Sequence, residues 1–222
     1  SQSMTYSFES PRVFDRLLLE KDDILRRAIP ISNPLGEDFS VMRTLPLNGM
    51  LTSLSTNYNR RNRDVRLYEM ATVYLPQELP LTKLPDERVQ FTLGMYGEGD
   101  FYTMKGVAEE FFERAGMRKK PHYNPDAGKP FLHPGRQAEI LYGKKAVGYL
   151  GELHPDVADA YKIGERAYIA VIDIPAVLEF ATFDYKYAGL AKYPPVTRDL
   201  SMVVKKEVLA GQIEDVLEQR GG

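Results

Sequence analysis

The segment VRLYEMATVYL, residues 65–75, constrains the fold more than any other part of the chain. Val65, Leu67, Ala71, Val73 and Leu75 alternate onto one side of an extended strand, and Tyr68, Met70 and Tyr74 onto the other. Apolar residues on both sides predict cover on both sides, as in a sheet held between layers. A second alternating run, residues 88–96, places Val89, Phe91, Leu93 and Met95 on one face. Residues 136–142 and 145–153 read as two strands around Gly143-Lys144, a tight hairpin signal. Residues 167–174, AYIAVIDI, read as a buried strand.

Helical patterns alternate with these strands. Ser10 and Pro11 open one whose inner side is Val13, Phe14, Leu17 and Leu18, ended by Asp22 and Asp23. Pro46 suits the first position of another, and Leu47, Met50, Leu51, Leu54 and Tyr58 follow at three- and four-residue steps. Asp100 caps a third, with Met104, Val107, Ala108, Phe111, Phe112 and Ala115 as its stripe and Gly116 as its stop. Pro155 and Pro175 open two short ones. Residues 4–8 suit a short strand and residues 28–31 an edge segment, with Pro30 arguing against a central one. Segments 76–87 and 121–135 are proline-rich and read as loops. Strands, helices and a hairpin in this order predict an α+β domain, a mainly antiparallel sheet covered by helices.

Tyr193-Pro194-Pro195 marks a boundary, giving one domain over 1–192 and a remainder over 193–222. The remainder holds one predicted strand, 200–204, and one helix, 208–219, too little to bury a core. The expectation is an excised piece that stops inside its last module, with residues 1–3 as a cloning remnant.

Charge narrows the function classes. The chain has 29 basic and 31 acidic residues, so it lacks the basic excess of a dedicated nucleic-acid-binding domain. It has no cysteine, which excludes thiolate zinc sites and a cysteine nucleophile. No apolar run reaches the roughly 18 residues of a membrane span. His122, His133 and His154 each adjoin a proline; capping or loop roles are expected of them, and no metal site.

Residues 31–44, ISNPLGEDFSVMRT, hold a remainder that no secondary-structure rule explains: the acidic pair Glu37-Asp38 and the run through Arg43. This segment resembles the synthetase-like core of the bacterial phenylalanyl-tRNA synthetase beta subunit, which carries ISNPL-x-ED-x-S-x-MR-T before a leucine-rich helix. Residues 101–116, FYTMKGVAEEFFERAG, resemble its F-x-x-x-K-G helix. Residues 133–155, HPGRQAEILYGKKAVGYLGELHP, resemble its HPGR-x-A hairpin and G-x-L-H-P turn. Residues 192–204, KYPPVTRDLSMVV, resemble the start of its ferredoxin-like anticodon-binding module. One departure stands at Thr44 to Leu51, where the family often has T-x-L-L-P-G-L-L with different spacing.

The resemblance implies a class II aminoacyl-tRNA synthetase-like fold. It implies a cytoplasmic (αβ)₂ phenylalanine-tRNA ligase that uses ATP and Mg²⁺, with the catalytic site on the alpha subunit. Class II catalytic domains aim arginines at the phosphate from an F-R-x-E strand and a G-x-G-x-x-R helix. Neither pattern occurs here, and Arg66, three before Glu69, alternates onto the opposite face from it. The resemblance therefore implies a catalytically silent scaffold, holding no cofactor itself, that pairs with the alpha subunit. Its expected interface residues are Arg43, Leu47, Met50 and Tyr58, with Leu51 and Leu54 in the core. Glu37-Asp38 are expected to hold Arg43, to bridge to a partner, or to lie in a solvated turn. The alternative is a tRNA-binding module using Arg60, Arg61, Arg63 and Arg66 on phosphate; the same arginines would also complement a helix C-terminus.

Overall fold

The computed structural model describes residues 1–182, 184, 192–194, 196–205 and 207–220. The chain divides into two units, Ser1–Thr182 and Phe183–Gly222. The first is built on a six-stranded sheet in the order β3-β4-β8-β7-β6-β5, every pair antiparallel. Its strands are β3 (Val65–Leu75), β4 (Asp86–Tyr96), β5 (His122–Asn124), β6 (Leu132–Tyr142), β7 (Lys145–Leu153) and β8 (Ala167–Asp173). Two short strands, β1 (Phe8–Glu9) and β2 (Val41–Met42), pair separately. The α+β expectation holds.

Alternation along β8 divides the core in two. Ile169 and Val171 enter a cluster with Val13, Phe14, Leu17, Leu47, Met50, Leu51, Leu54 and Tyr161. These come from α1 (Val13–Arg16), α2 (Leu47–Asn59) and the end of α4 (Pro155–Ala160). Tyr168, Ala170 and Ile172 point the other way, to Met104, Ala108 and Phe112 of α3 (Phe101–Arg114) and to Ala176 and Val177 of α5 (Ile174–Leu178). Helix α2 presses closely on the sheet: a Cβ on Gly94 of β4 would stand 2.8 Å from Met50 Cγ.

Helix α3 shows how local sequence sets an element's ends. Asp100 accepts a hydrogen bond from the Thr103 N–H at 2.8 Å while Thr103 Oγ1 accepts one from the Asp100 N–H at 3.2 Å, a reciprocal capping box. At the other end the Met117 N–H reaches Phe112 O at 3.1 Å and the Gly116 N–H reaches Glu113 O at 2.9 Å, a Schellman motif. Gly116 sits at φ 74°, and a Cβ there would meet Thr182 O at 1.7 Å. Gly116→Ala is expected to lower the unfolding free energy by about 1–3 kcal/mol in urea titrations, the cost of a side chain in left-handed backbone.

Several expectations need correction. The face of β3, an edge strand, that carries Tyr68, Met70 and Tyr74 is only partly covered: Tyr74 is half-buried, but Tyr68 is exposed and Met70 is 49% exposed. Residues 4–8 are not a strand, because only Phe8 and Glu9 find a partner; Gln2 instead makes a parallel bridge to Tyr68 on the β3 edge. Asp23 does not end the first helix but caps a 3₁₀ turn, Ile24–Arg26, accepting from the Leu25 N–H at 2.8 Å. Of residues 28–31, Pro30 alone bridges, to Val41. Segment 121–135 is not all loop: it holds β5 and the start of β6. Pro134 is tolerated there because the β6–β7 register breaks between Leu132 and Gln137. Pro46 is the N-cap of α2, one residue before the position expected.

In the second unit α6 (Ala210–Arg220) is present, but residues 200–204 form no strand, having no neighbour to pair with among the described residues. The expected boundary at 192/193 falls inside this unit, and residue 195 lies outside the described residues.

Candidate functional site

Glu69 is the residue that decides what this sheet can do. Strand alternation turns it toward the α2 side, where it is 4% exposed. The Arg43 guanidinium, 5% exposed, lies 3.4 Å from its Oε1. Arg43 also donates from Nε to Thr72 O at 2.7 Å and from Nη1 to Thr5 Oγ1 at 3.1 Å. Thr5 completes the lock: its N–H and its hydroxyl both donate to the Glu69 carboxylate, at 3.1 and 2.9 Å. A hollow of about 300 Å³ beside the β3 edge reaches this cluster, but the carboxylate and the guanidinium already bond each other. Two residues before Glu69 stands Leu67, packed on the core, where a phosphate-binding arginine would be needed. Leu67 offers no charge to a phosphate there.

A second buried polar group adjoins the first. Glu9 on β1 is 3% exposed, and its Oε1 has no hydrogen-bond partner. Burial pushes its carboxyl pKa up to about 8, against the lowering effects of the Arg43 charge and the Asn48 side chain. Asn48 in turn accepts from the Tyr161 hydroxyl at 2.9 Å, and the Arg16 guanidinium lies 3.7 Å over the Tyr161 ring. Arg43 thus serves two buried carboxyls on two different strands.

The predicted interface residues fare differently. Leu47 and Met50 are wholly buried in the chain's own core, and Arg43 is held inside by Glu69. None of the three has surface to offer a partner, so they do not meet the interface expectation; Leu47, Met50, Leu51 and Leu54 of α2 are all fully buried within the chain. Tyr58 is half-buried, edge-on to Tyr96 with ring centroids 5.8 Å apart. Leu51 and Leu54 are core, as expected. Glu37 does not hold Arg43: it pairs with Arg12 in solvent at 3.0 Å.

Arg60, Arg61, Arg63 and Arg66 are all exposed at the end of α2 and the start of β3. Arg66 donates to Glu98 O at 2.8 Å and lies 3.7 Å from Asp64. His133 Nδ1 accepts from the Gly135 N–H, and His154 Nδ1 caps α4 by accepting from the Asp156 N–H at 3.2 Å. Among the described residues no group of three histidine, aspartate or glutamate side chains could hold a metal ion, and no helix is long and apolar enough to cross a membrane. The buried Glu9–Asn48–Tyr161 arrangement was missed in the sequence. Its one signal is Glu9, a lone acid next to Phe8 and just before the Ser10-Pro11 turn.

The profile of the phenylalanyl tRNA synthetase beta chain CLM domain matches residues 1–174. The chain belongs to that family. Relatives agree over its whole length. It is 42% identical to a phenylalanine–tRNA ligase beta subunit of Clostridium tetani and 43% identical to one of Clostridium acetobutylicum, covering all of this chain and 28% of each relative. The chain thus spans a little over a quarter of the length of the relatives it matches. The fold of this family member is similar to that of pyrrolysyl-tRNA synthetase from Desulfitobacterium hafniense, at TM-score 0.63 and 13% identity, over 80% of this chain and 61% of that one. Its architecture is that of a class II aminoacyl-tRNA synthetase.

Proposed function

We propose that this chain is a non-catalytic scaffold within the beta subunit of a phenylalanine–tRNA ligase. Its role is to pair with the alpha subunit that carries the catalytic site, in an (αβ)₂ enzyme. The observation that carries the reading is the Arg43–Glu69–Thr5 lock, which occupies the one carboxylate of β3 in a class II sheet. A group so committed neither binds ATP nor aims charge at a phosphate.

Pairing needs an apolar surface, and the β3 edge supplies one. Tyr68 and Met70 are exposed there, and the Tyr68 ring lies 5.9 Å from Phe91. Phe91 stacks on Phe111 of α3 at 4.7 Å, and Val107 of the same helix is exposed. Aromatic and methionine side chains of this kind are enriched in interface cores.

The test is size-exclusion chromatography with light scattering on the chain mixed with the cognate alpha subunit. A complex peak is expected, with at least tenfold weaker association for Met70→Glu, about 1.4 kcal/mol. No complex with the wild-type chain, or one indifferent to Met70→Glu, would count against this surface as the pairing face. ATP–pyrophosphate exchange by the isolated chain would remove the non-catalytic reading.

A further inference from the structure

A second basic surface of the first unit lies away from the arginines singled out above. Lys119, Lys120, Lys144 and Lys145 line one hollow of about 690 Å³, together with His122, Tyr142, Gly143 and Phe180. Three stretches of chain converge there because of strand register. His122 of β5 pairs with Leu141 of β6, and Tyr142 pairs with Lys145 across the hairpin turn. The residues just before β5 are thereby carried beside the hairpin tip. The Lys119 N–H donates to the Tyr142 hydroxyl at 3.2 Å and fixes that approach. Tyr142 and Phe180, with ring centroids 4.7 Å apart, form the floor.

The charge in this hollow is largely uncompensated. Lys145 pairs with Glu179. Among the described residues Lys119, Lys120 and Lys144 form no ion pair, although the chain as a whole is slightly acidic. Holding several ammonium groups around one hollow costs repulsion that a polyanion relieves.

We infer that this four-lysine hollow, between the β5 edge and the β6–β7 hairpin tip, binds the phosphate backbone of RNA. Lysine is a compact charge suited to phosphate and is depleted in protein–protein interfaces, so the composition favours a nucleic acid over a protein partner. The inference rests on the scaffold reading in one respect: tRNA is the RNA such a ligase would bring to this surface. It differs from the Arg60–Arg66 alternative in place. Gly148 of β7 pairs with Ile172 near the C-terminal end of β8, whereas Val65 pairs with Tyr96, which pairs with Ala167 at its N-terminal end. With β3 and β5 on opposite edges, the two basic clusters occupy opposite corners of the sheet.

The experiment uses the full 222-residue chain and fluorescein-labelled phenylalanine-specific tRNA, with anisotropy read across a salt series. The expected result is salt-dependent binding that weakens at least tenfold in Lys119→Glu/Lys120→Glu/Lys144→Glu, with a log–log salt slope shallower by about 2. Arg60→Ala/Arg61→Ala/Arg63→Ala should leave both quantities unchanged. Absent binding, equal loss in the arginine variant, or displacement by inorganic phosphate at matched ionic strength would each overturn the inference. Light scattering with the alpha subunit separates it from the scaffold reading. The lysine variant should still form the complex; loss of complex with tRNA affinity intact would assign the hollow to an acidic protein surface and overturn the RNA assignment.

Discussion

Arg43→Ala should lower the unfolding free energy by about 3–5 kcal/mol, the typical cost of breaking one side of a buried ion pair. The size follows from what the substitution leaves behind. Glu69, 4% exposed, would retain only the two donors of Thr5. Thr72 O would also lose its 2.7 Å donor. A domain's whole stability is about 5–15 kcal/mol, so the variant is expected to unfold at markedly lower urea. Removing both charges is a different matter. Arg43→Met with Glu69→Leu should recover most of the loss, because the desolvation of two ions disappears along with their attraction. A double-mutant cycle read by circular dichroism in urea checks this. A single variant within about 0.5 kcal/mol of wild type, the range of ordinary surface substitutions, would show that Arg43 is not holding the cluster.

The second large effect is a dependence on pH. Glu9 titrates at about 8 in the folded chain against 4.5 for an ordinary glutamate, chiefly because burial disfavours its charge. The folded state therefore holds this proton more tightly than the unfolded one. The stability it confers is fully present below about pH 4.5 and is lost as the pH rises through about 8. Spread over that window, the loss is of order 5 kcal/mol. Glu9→Gln keeps the shape and removes the titration. The variant should match wild type near pH 4.5 and be more stable by a few kcal/mol above pH 8. The two proteins differ in charge at this one position, so urea midpoints measured in parallel across pH cancel the contributions of other groups. Curves that stay parallel from acid to alkaline pH would sink the assignment.

Much of the fold is legible residue by residue. Alternation marks β3 with the bounds Val65–Leu75, and the hairpin turn falls on Gly143-Lys144 with Tyr142 opposite Lys145. Asp100, Gly116, Pro155 and Pro175 set helix ends through short-range hydrogen bonds and backbone preference, which act within four or five residues. Short elements are less legible. β1 and β2 span two residues each, and their pairing joins segments about thirty residues apart, so no local pattern announces it. The absent strand at 200–204 is the converse case: its alternation is present, but a strand exists only with a neighbour.

The candidate site divides along the same line. By itself the sequence determined the family resemblance, the missing catalytic arginines and the apolar stripe of α2, because each is written in residue type and spacing. Tertiary structure alone decided which side of each element is covered. It turned Leu47 and Met50 inward, left Tyr68 and Met70 outside, and brought Thr5, Glu9, Arg43 and Glu69 from three segments into one cluster. It also gathered Lys119, Lys120, Lys144 and Lys145 around one hollow, within a chain whose total charge conceals them. The physical reason is that burial and charge proximity are properties of pairs distant in sequence. Periodicity says that a face is apolar, and packing says what covers it.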